Sequence, residues 1–116
     1  MTESDRLSKI RQTLREFVND RDWSKFHDPK NLAMAVSSEA GELLSELRWV
    51  ASPDADALAQ IPEIRERLQN ETADIAILLF LFCDRIGFDL LDAVENKIKM
   101  NGEHYPIDKA KGRADR

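Results

Sequence analysis

The sequence predicts an all-α protein, a helical bundle of four main helices. Three observations carry this. Apolar residues recur every three or four positions in four segments, and no segment alternates with the period of two that marks a strand. Glycine and proline number only four each in 116 residues. With 42% hydrophobic and 34% charged side chains, the chain has the balance of a globular, helix-rich protein.

The first helix is expected over about 3–19, with Leu7, Ile10, Leu14, Phe17 and Val18 on one face. A polar, aromatic stretch, Asn19 to His27, follows it. Asp28-Pro29 then opens a second helix, an N-cap ahead of a proline whose missing N–H is an orphan at that position anyway. This helix is expected to reach about Val50, with Leu32, Val36, Ala40, Leu43 and Leu47 facing inward. Residues 51–62 read as mostly connection, with at most a short helical turn from Ser52-Pro53.

The third helix starts near Glu63, just after Pro62, and ends at Gly87 as a C′ glycine. Its second half, Ile75 to Cys83, is apolar on nearly every side, so it should be buried and should also face a partner subunit. Asp89 caps a fourth helix from Leu90 to about Asn101, closed by Gly102. Residues 1–110 thus read as one all-α domain completed by oligomerisation, a homodimer or homotetramer, and 111–116 as a flexible tail.

Composition excludes several classes. The longest apolar run, Ile75 to Cys83, falls far short of the roughly 20 residues that a membrane-spanning helix needs. The polar N-terminus shows no secretory signal, and the single cysteine, Cys83, leaves neither a disulfide framework nor a CxxC zinc pattern. A cytoplasmic location is expected. The net charge of −5 argues against nucleic acid as a partner. That charge is uneven, with 11 basic and 19 acidic residues in 1–96 against six basic and three acidic in 97–116. The last eight residues read as a solvated, frayed end.

One seam position does not fit a core. The apolar stripe of the third helix runs Ile64, Leu68, Glu71, Ile75, Leu78, Phe82, so Glu71 sits where a leucine is expected. Asp74 follows one turn later, and Glu39 and Glu42 repeat the i, i+3 spacing beside the stripe of the second helix. If both stripes face one core, four carboxylates converge, and they must protonate, stay wet or bind a cation. Hard oxygen donors without His or Cys suit Mg²⁺, with Mn²⁺ as a substitute, rather than Zn²⁺. A ferritin-like di-iron site needs Glu-x-x-His, which neither His27 nor His104 supplies. Mg²⁺ held this way usually acts on phosphates, which complete its coordination. Glu46, one turn beyond Glu42, reads as a surface residue pairing with Arg48 or with nothing.

The surrounding groups suit a phosphorylated, base-bearing ligand. Trp23, Phe26 and His27 precede a helix N-terminus, where backbone N–H groups favour anions, and aromatic rings there would stack on a base. Singly, Trp23 and Phe26 are more often packing residues and His27 more often a hydrogen bonder at the helix start, and Trp49 shares the ambiguity. Lys97 and Asn101 lie four apart on one face of the last helix. Asn101 extends the apolar stripe Leu91, Val94, Ile98, and Tyr105-Pro106 follows.

Taken together, these residues resemble the MazG-like nucleotide pyrophosphohydrolases. The signature Glu-Glu-x-x-Glu, a spacer, then Glu-x-x-Asp is met by Ser38-Glu39-Ala-Gly-Glu42 and Glu71-Thr-Ala-Asp74, with 28 residues between. RDW-x-x-FH-x-P-x-N (21–31), E-x-GEL (39–43), Trp49, and K-x-x-x-N-x-x-x-YP (97–106) make the chain similar to the dCTP pyrophosphatase branch. Ser38 departs from the family signature, as it does in that branch. Leu78 stands where a tyrosine is expected in the vertebrate enzymes, which bears on the choice of nucleotide.

The resemblance implies Mg²⁺-dependent cleavage of a nucleoside triphosphate to monophosphate and pyrophosphate. Glu39, Glu42, Glu71 and Asp74 would hold the metal, and Glu39 or Glu42 would also orient the attacking water. Lys97 would contact the phosphates and Asn101 the phosphate or sugar, Trp23, Phe26, His27 and Trp49 would frame the base, and Asn31 and Tyr105 would also bind the substrate. Two other classes stay open on the residues alone. One is a non-catalytic helical module dimerising through residues 75–86; the other is a metal-dependent phosphohydrolase acting on a different phosphorylated metabolite.

Overall fold

In a computed structural model that describes residues 2–114, six helices follow one another with no strand among the described residues. They are α1 (Glu3–Asp20), α2 (Pro29–Ser45), α3 (Ser52–Ala59), α4 (Pro62–Ile86), α5 (Leu90–His104) and α6 (Ile107–Ala110). A single 3₁₀ turn, Ser24–Phe26, sits between α1 and α2. The all-α class is as expected. Asp115 and Arg116, the end of the expected tail, lie outside the described residues.

Local chemistry explains the boundaries. Thr2 and Asp5 form a reciprocal capping box on α1. The Asn31 N–H donates to Asp28 Oδ1 at 2.9 Å and the Asp92 N–H to Asp89 Oδ1 at 3.0 Å, so both aspartates cap as expected. Gly87 ends α4 with φ 98°, a left-handed conformation that costs a residue with a Cβ.

Three expectations need correction. α2 stops at Ser45 rather than near Val50, because Glu46, Leu47 and Val50 turn to carbonyls only three residues back. The stretch 51–62 contains a true helix, α3, started by Pro53 in the first turn. Gly102 does not close the last helix; it lies inside α5, which runs on to His104.

Packing centres on one pair. α2 lies along α4, α3 leans on α4, and α1 and α5 add modest contacts to α4. Two arginines on α1 fasten it near the end of α4: Arg15 grips Asp84 at 2.6 Å and Arg11 reaches Asp89 at 2.9 Å. Those guanidinium groups hold the Asp84 carboxyl below its ordinary range, and at Asp89 Arg11 adds to the larger effect of the Asp92 N–H.

The four main helices do not close into a bundle within one chain. Only Val18, Leu32 and Cys83 are buried among the described residues. The chain exposes 9286 Å², whereas a compact monomer of this mass exposes about 6,500 Å². Its radius of gyration is 17.4 Å, against about 13 Å for a compact domain of this length. The all-apolar half of α4 is accordingly not enclosed: Ile77 and Leu79 remain exposed and only Cys83 is buried.

Candidate metal centre

α2 and α4 run antiparallel, and their polar stripes meet in register. Glu46 accepts a hydrogen bond from Arg67 Nε at 2.9 Å. At the other end of the stripe, single carboxylate oxygens of Glu39, Glu71 and Asp74 all lie within 4.8 Å of one another. On α2 the acidic residues step 39, 42, 46; on α4 the facing residues step 74, 71, 67. Spacings of three and four keep each set on one helix face. Glu42, between Glu39 and Glu46, therefore stands at the level of Glu71.

The convergence is costly to the charges involved. Glu39 and Glu71 are half-buried and Asp74 is exposed. Loss of water pushes the Glu71 carboxyl above its ordinary range, and the neighbouring charges of Glu39, Glu42, Asp74 and Glu46 push it further. Such an arrangement attracts a cation. Mg²⁺ binds oxygen at about 2.0–2.1 Å, so opposite ligands on one ion lie about 4.2 Å apart. Three oxygens within 4.8 Å need only small side-chain rotations to meet that spacing. The donor set, all carboxylate, fits a hard divalent ion. Glu42 is exposed, and its carboxylate lies outside this triad.

The remaining expected residues fall into three places outside the triad. Around the start of α2, His27 lines a cleft of about 240 Å³ with Asn19, Ser24, Leu81 and Arg85. Leu81 is seven residues beyond Asp74, about 10 Å along the helix. Trp23 packs edge-on against Phe17 at 5.7 Å, and Phe26 is 57% exposed. The Asn31 side chain donates to the Phe26 carbonyl at 3.1 Å, so it ties the turn to the helix start. Trp49 stands 86% exposed on the turn after α2, with the Arg48 guanidinium 5.1 Å from its ring.

On α5, Lys97, Asn101 and Tyr105 share an open groove with Arg113 from the segment after α6. None of Glu39, Glu42, Glu71 and Asp74 lines that groove. The structure thus unites the α5 residues with one another but not with the carboxylates of their own chain. Sequence reasoning missed the partner of Glu46, which is Arg67 on the facing helix and not Arg48. The signal was present: Arg67 precedes Glu71 by four residues on the same stripe.

The fold and the paired carboxylate helices define a class, and comparison with known proteins agrees. The chain belongs to the MazG-like family, whose sequence profile matches residues 34–116. Within that family it stands in the dCTP pyrophosphatase branch. It is 36% identical over 108 residues to dCTP pyrophosphatase 1 of Mus musculus, covering 93% of this chain and 64% of that protein. The Homo sapiens protein of the same name is 36% identical over 100 residues, 86% of this chain and 59% of that one. The chain therefore spans somewhat less than two thirds of the length of these relatives. Among solved structures, a pyrophosphatase from Archaeoglobus fulgidus superposes with a TM-score of 0.81 at 34% identity, covering 87% of this chain and 93% of that one.

Proposed function

We infer that the protein is a Mg²⁺-dependent nucleoside triphosphate pyrophosphohydrolase, converting a (d)NTP and water to the monophosphate and pyrophosphate. The observation that carries this reading is the convergence of Glu39, Glu71 and Asp74 from two helices onto one point. The dCTP pyrophosphatases among its relatives make dCTP, or a modified pyrimidine deoxynucleotide, the first substrate to test. Clearing unwanted deoxynucleotides is the corresponding cellular role.

Glu39, Glu71 and Asp74 would hold the metal, with Glu42 beside them. Mg²⁺, when bound, offsets phosphate charge and polarises the phosphoryl group, and Mn²⁺ can replace it. Glu39 or Glu42 would orient the attacking water, and the Glu42 carboxylate, outside the triad and open to solvent, is the freer of the two to do so. Trp23, Phe26, His27 and Trp49 supply apolar and polar faces for a base.

The chain acts as a homo-oligomer. About 2,800 Å² of exposed surface beyond the compact-monomer expectation matches one obligate interface or two smaller ones. The apolar stripe of α5, with Leu91 46%, Val94 44% and Ile98 65% exposed, belongs to that interface. A second copy would also bring Lys97 and Asn101 to the carboxylates that their own chain keeps apart from them.

The decisive assay measures pyrophosphate released from a panel of dNTPs with Mg²⁺, for the wild type and Glu71→Ala. Release from dCTP is expected, abolished by EDTA and in the variant. Equal activity in Glu71→Ala would remove that residue from the site.

A further inference from the structure

We propose that Arg67, oriented by Glu46, is a phosphate-binding residue at the rim of the carboxylate cluster. The inference rests on the nucleotide reading above and adds a contact that the shared motifs do not contain. Arg67, Glu71 and Asp74 occupy i, i+4 and i+7 of α4, one stripe that faces α2. Four residues of helix separate Arg67 from Glu71, about 6 Å along the axis. An extended arginine side chain spans that distance.

The bonding of the guanidinium points the same way. Arg67 gives one donor, Nε, to Glu46 Oε2 at 2.9 Å. Its Nη1 and Nη2 groups make no hydrogen bond among the described residues. A guanidinium carries five donors in a rigid fork, so four remain for a ligand. Glu46 is the more enclosed partner, with 22% of its side chain exposed against 54% for Arg67. The carboxylate thus anchors the inner edge of the fork and leaves the outer edge toward solvent. Arg15, by comparison, spends both Nε and Nη2 on Asp84.

Charge supplies the reason for a cation here. The charges that bear on Glu71 are Glu39, Glu42, Asp74 and Glu46, all negative. A triphosphate adds further negative charge to that group, more than one divalent ion neutralises. A planar fork that matches two phosphate oxygens offsets the remainder. In this assignment Arg67 touches substrate, and Glu46 is a positioning residue acting through it.

The test compares wild type with Arg67→Ala, Arg67→Lys, Glu46→Gln and Glu46→Ala. Three quantities are read: kcat and KM for dCTP with Mg²⁺, pyrophosphate affinity by calorimetry with Mg²⁺, and Mn²⁺ affinity by electron paramagnetic resonance without phosphate. Arg67→Ala should raise KM and weaken pyrophosphate about tenfold, the worth of one charge-assisted contact, with Mn²⁺ affinity held within about twofold. Lysine should restore part of the loss. Glu46→Gln, whose amide oxygen still accepts from Nε, should lose less than Glu46→Ala.

Unchanged KM and pyrophosphate affinity in Arg67→Ala would overturn the proposal. So would a parallel fall in Mn²⁺ affinity, which would make the pair a clamp between helices. If the wild type cleaves no nucleotide, the functional reading fails. The pyrophosphate titration still decides on Arg67: a tenfold loss in the alanine variant upholds the anion contact, and equal affinity or no binding refutes it.

Discussion

Ile98→Ala tests whether the exposed apolar face of α5 is an interface between copies. Ile98 is 65% exposed in the single chain. Burying a whole isoleucine side chain contributes about 1.5–3 kcal/mol, so covering the exposed two thirds contributes about 1–2 kcal/mol. A two-fold interface uses the residue twice. The variant should therefore weaken a dimer by about 2–4 kcal/mol, roughly 30- to 1,000-fold in dissociation constant. Sedimentation velocity across a dilution series reads this directly. The wild type should sediment at twice the 13.3 kDa chain mass or more, and the variant should fall to the monomer at higher concentration. A fully active wild-type monomer would refute the argument from surface area. An unchanged assembly in Ile98→Ala would refute the assignment of α5 to the interface.

Three further predictions follow from named groups. Mixing Glu71→Ala with Lys97→Ala chains should restore about one quarter of wild-type activity, since half the dimers are mixed and each carries one intact site; activity that stays at the floor would show that Lys97 serves its own chain. The Glu71 carboxyl is raised above its ordinary 4.5, so the native chain holds that proton more tightly than the unfolded one. Metal-free stability should then fall as pH rises from 4.5 through the raised value, whereas Asp84 and Asp89, lowered from 3.8, lose their contribution only in stronger acid. Thermal melts in EDTA should show this slope flattened in Glu71→Gln, and parallel curves would sink the idea. Leu32, 2% exposed, should cost about 2–5 kcal/mol as alanine, lowering the melting temperature by about 8–20 °C for a chain of this length. Calorimetry of the holo-oligomer checks it.

The helices were legible because their caps are chemical. Asp28, Asp89 and Gly87 mark boundaries through groups that any chain would use there. Glu39, Glu71 and Asp74 were legible for a related reason: an acid inside or beside an apolar stripe needs a compensating charge, and helical spacing says which acids can share it. Three features were not. The end of α2 depends on a local choice of three-residue over four-residue hydrogen bonds, which Leu47 and Trp49 as side chains do not announce. Gly102 reads as a stop signal, yet α5 continues through it because nothing there demands a left-handed residue. Glu46 has candidate partners in the turn after α2 and on α4, and only the antiparallel register selects Arg67 over Arg48. Whether Lys97 meets the carboxylates depends on what lies across from α5, a property of the assembly rather than of one chain.

The register of α2 against α4 has a consequence for how the chain can change length. Each acidic residue finds its opposite because two rigid rods are aligned, and the link between them plays no part in that alignment. Insertions or deletions around α3, between Glu46 and Arg67, leave every facing pair where it is. A single residue inserted within either helix turns everything beyond it by about 100° and scatters the carboxylates. Tolerance to indels should therefore be sharply zoned, free in the link and nearly absent between Glu39 and Glu46 or between Arg67 and Asp74.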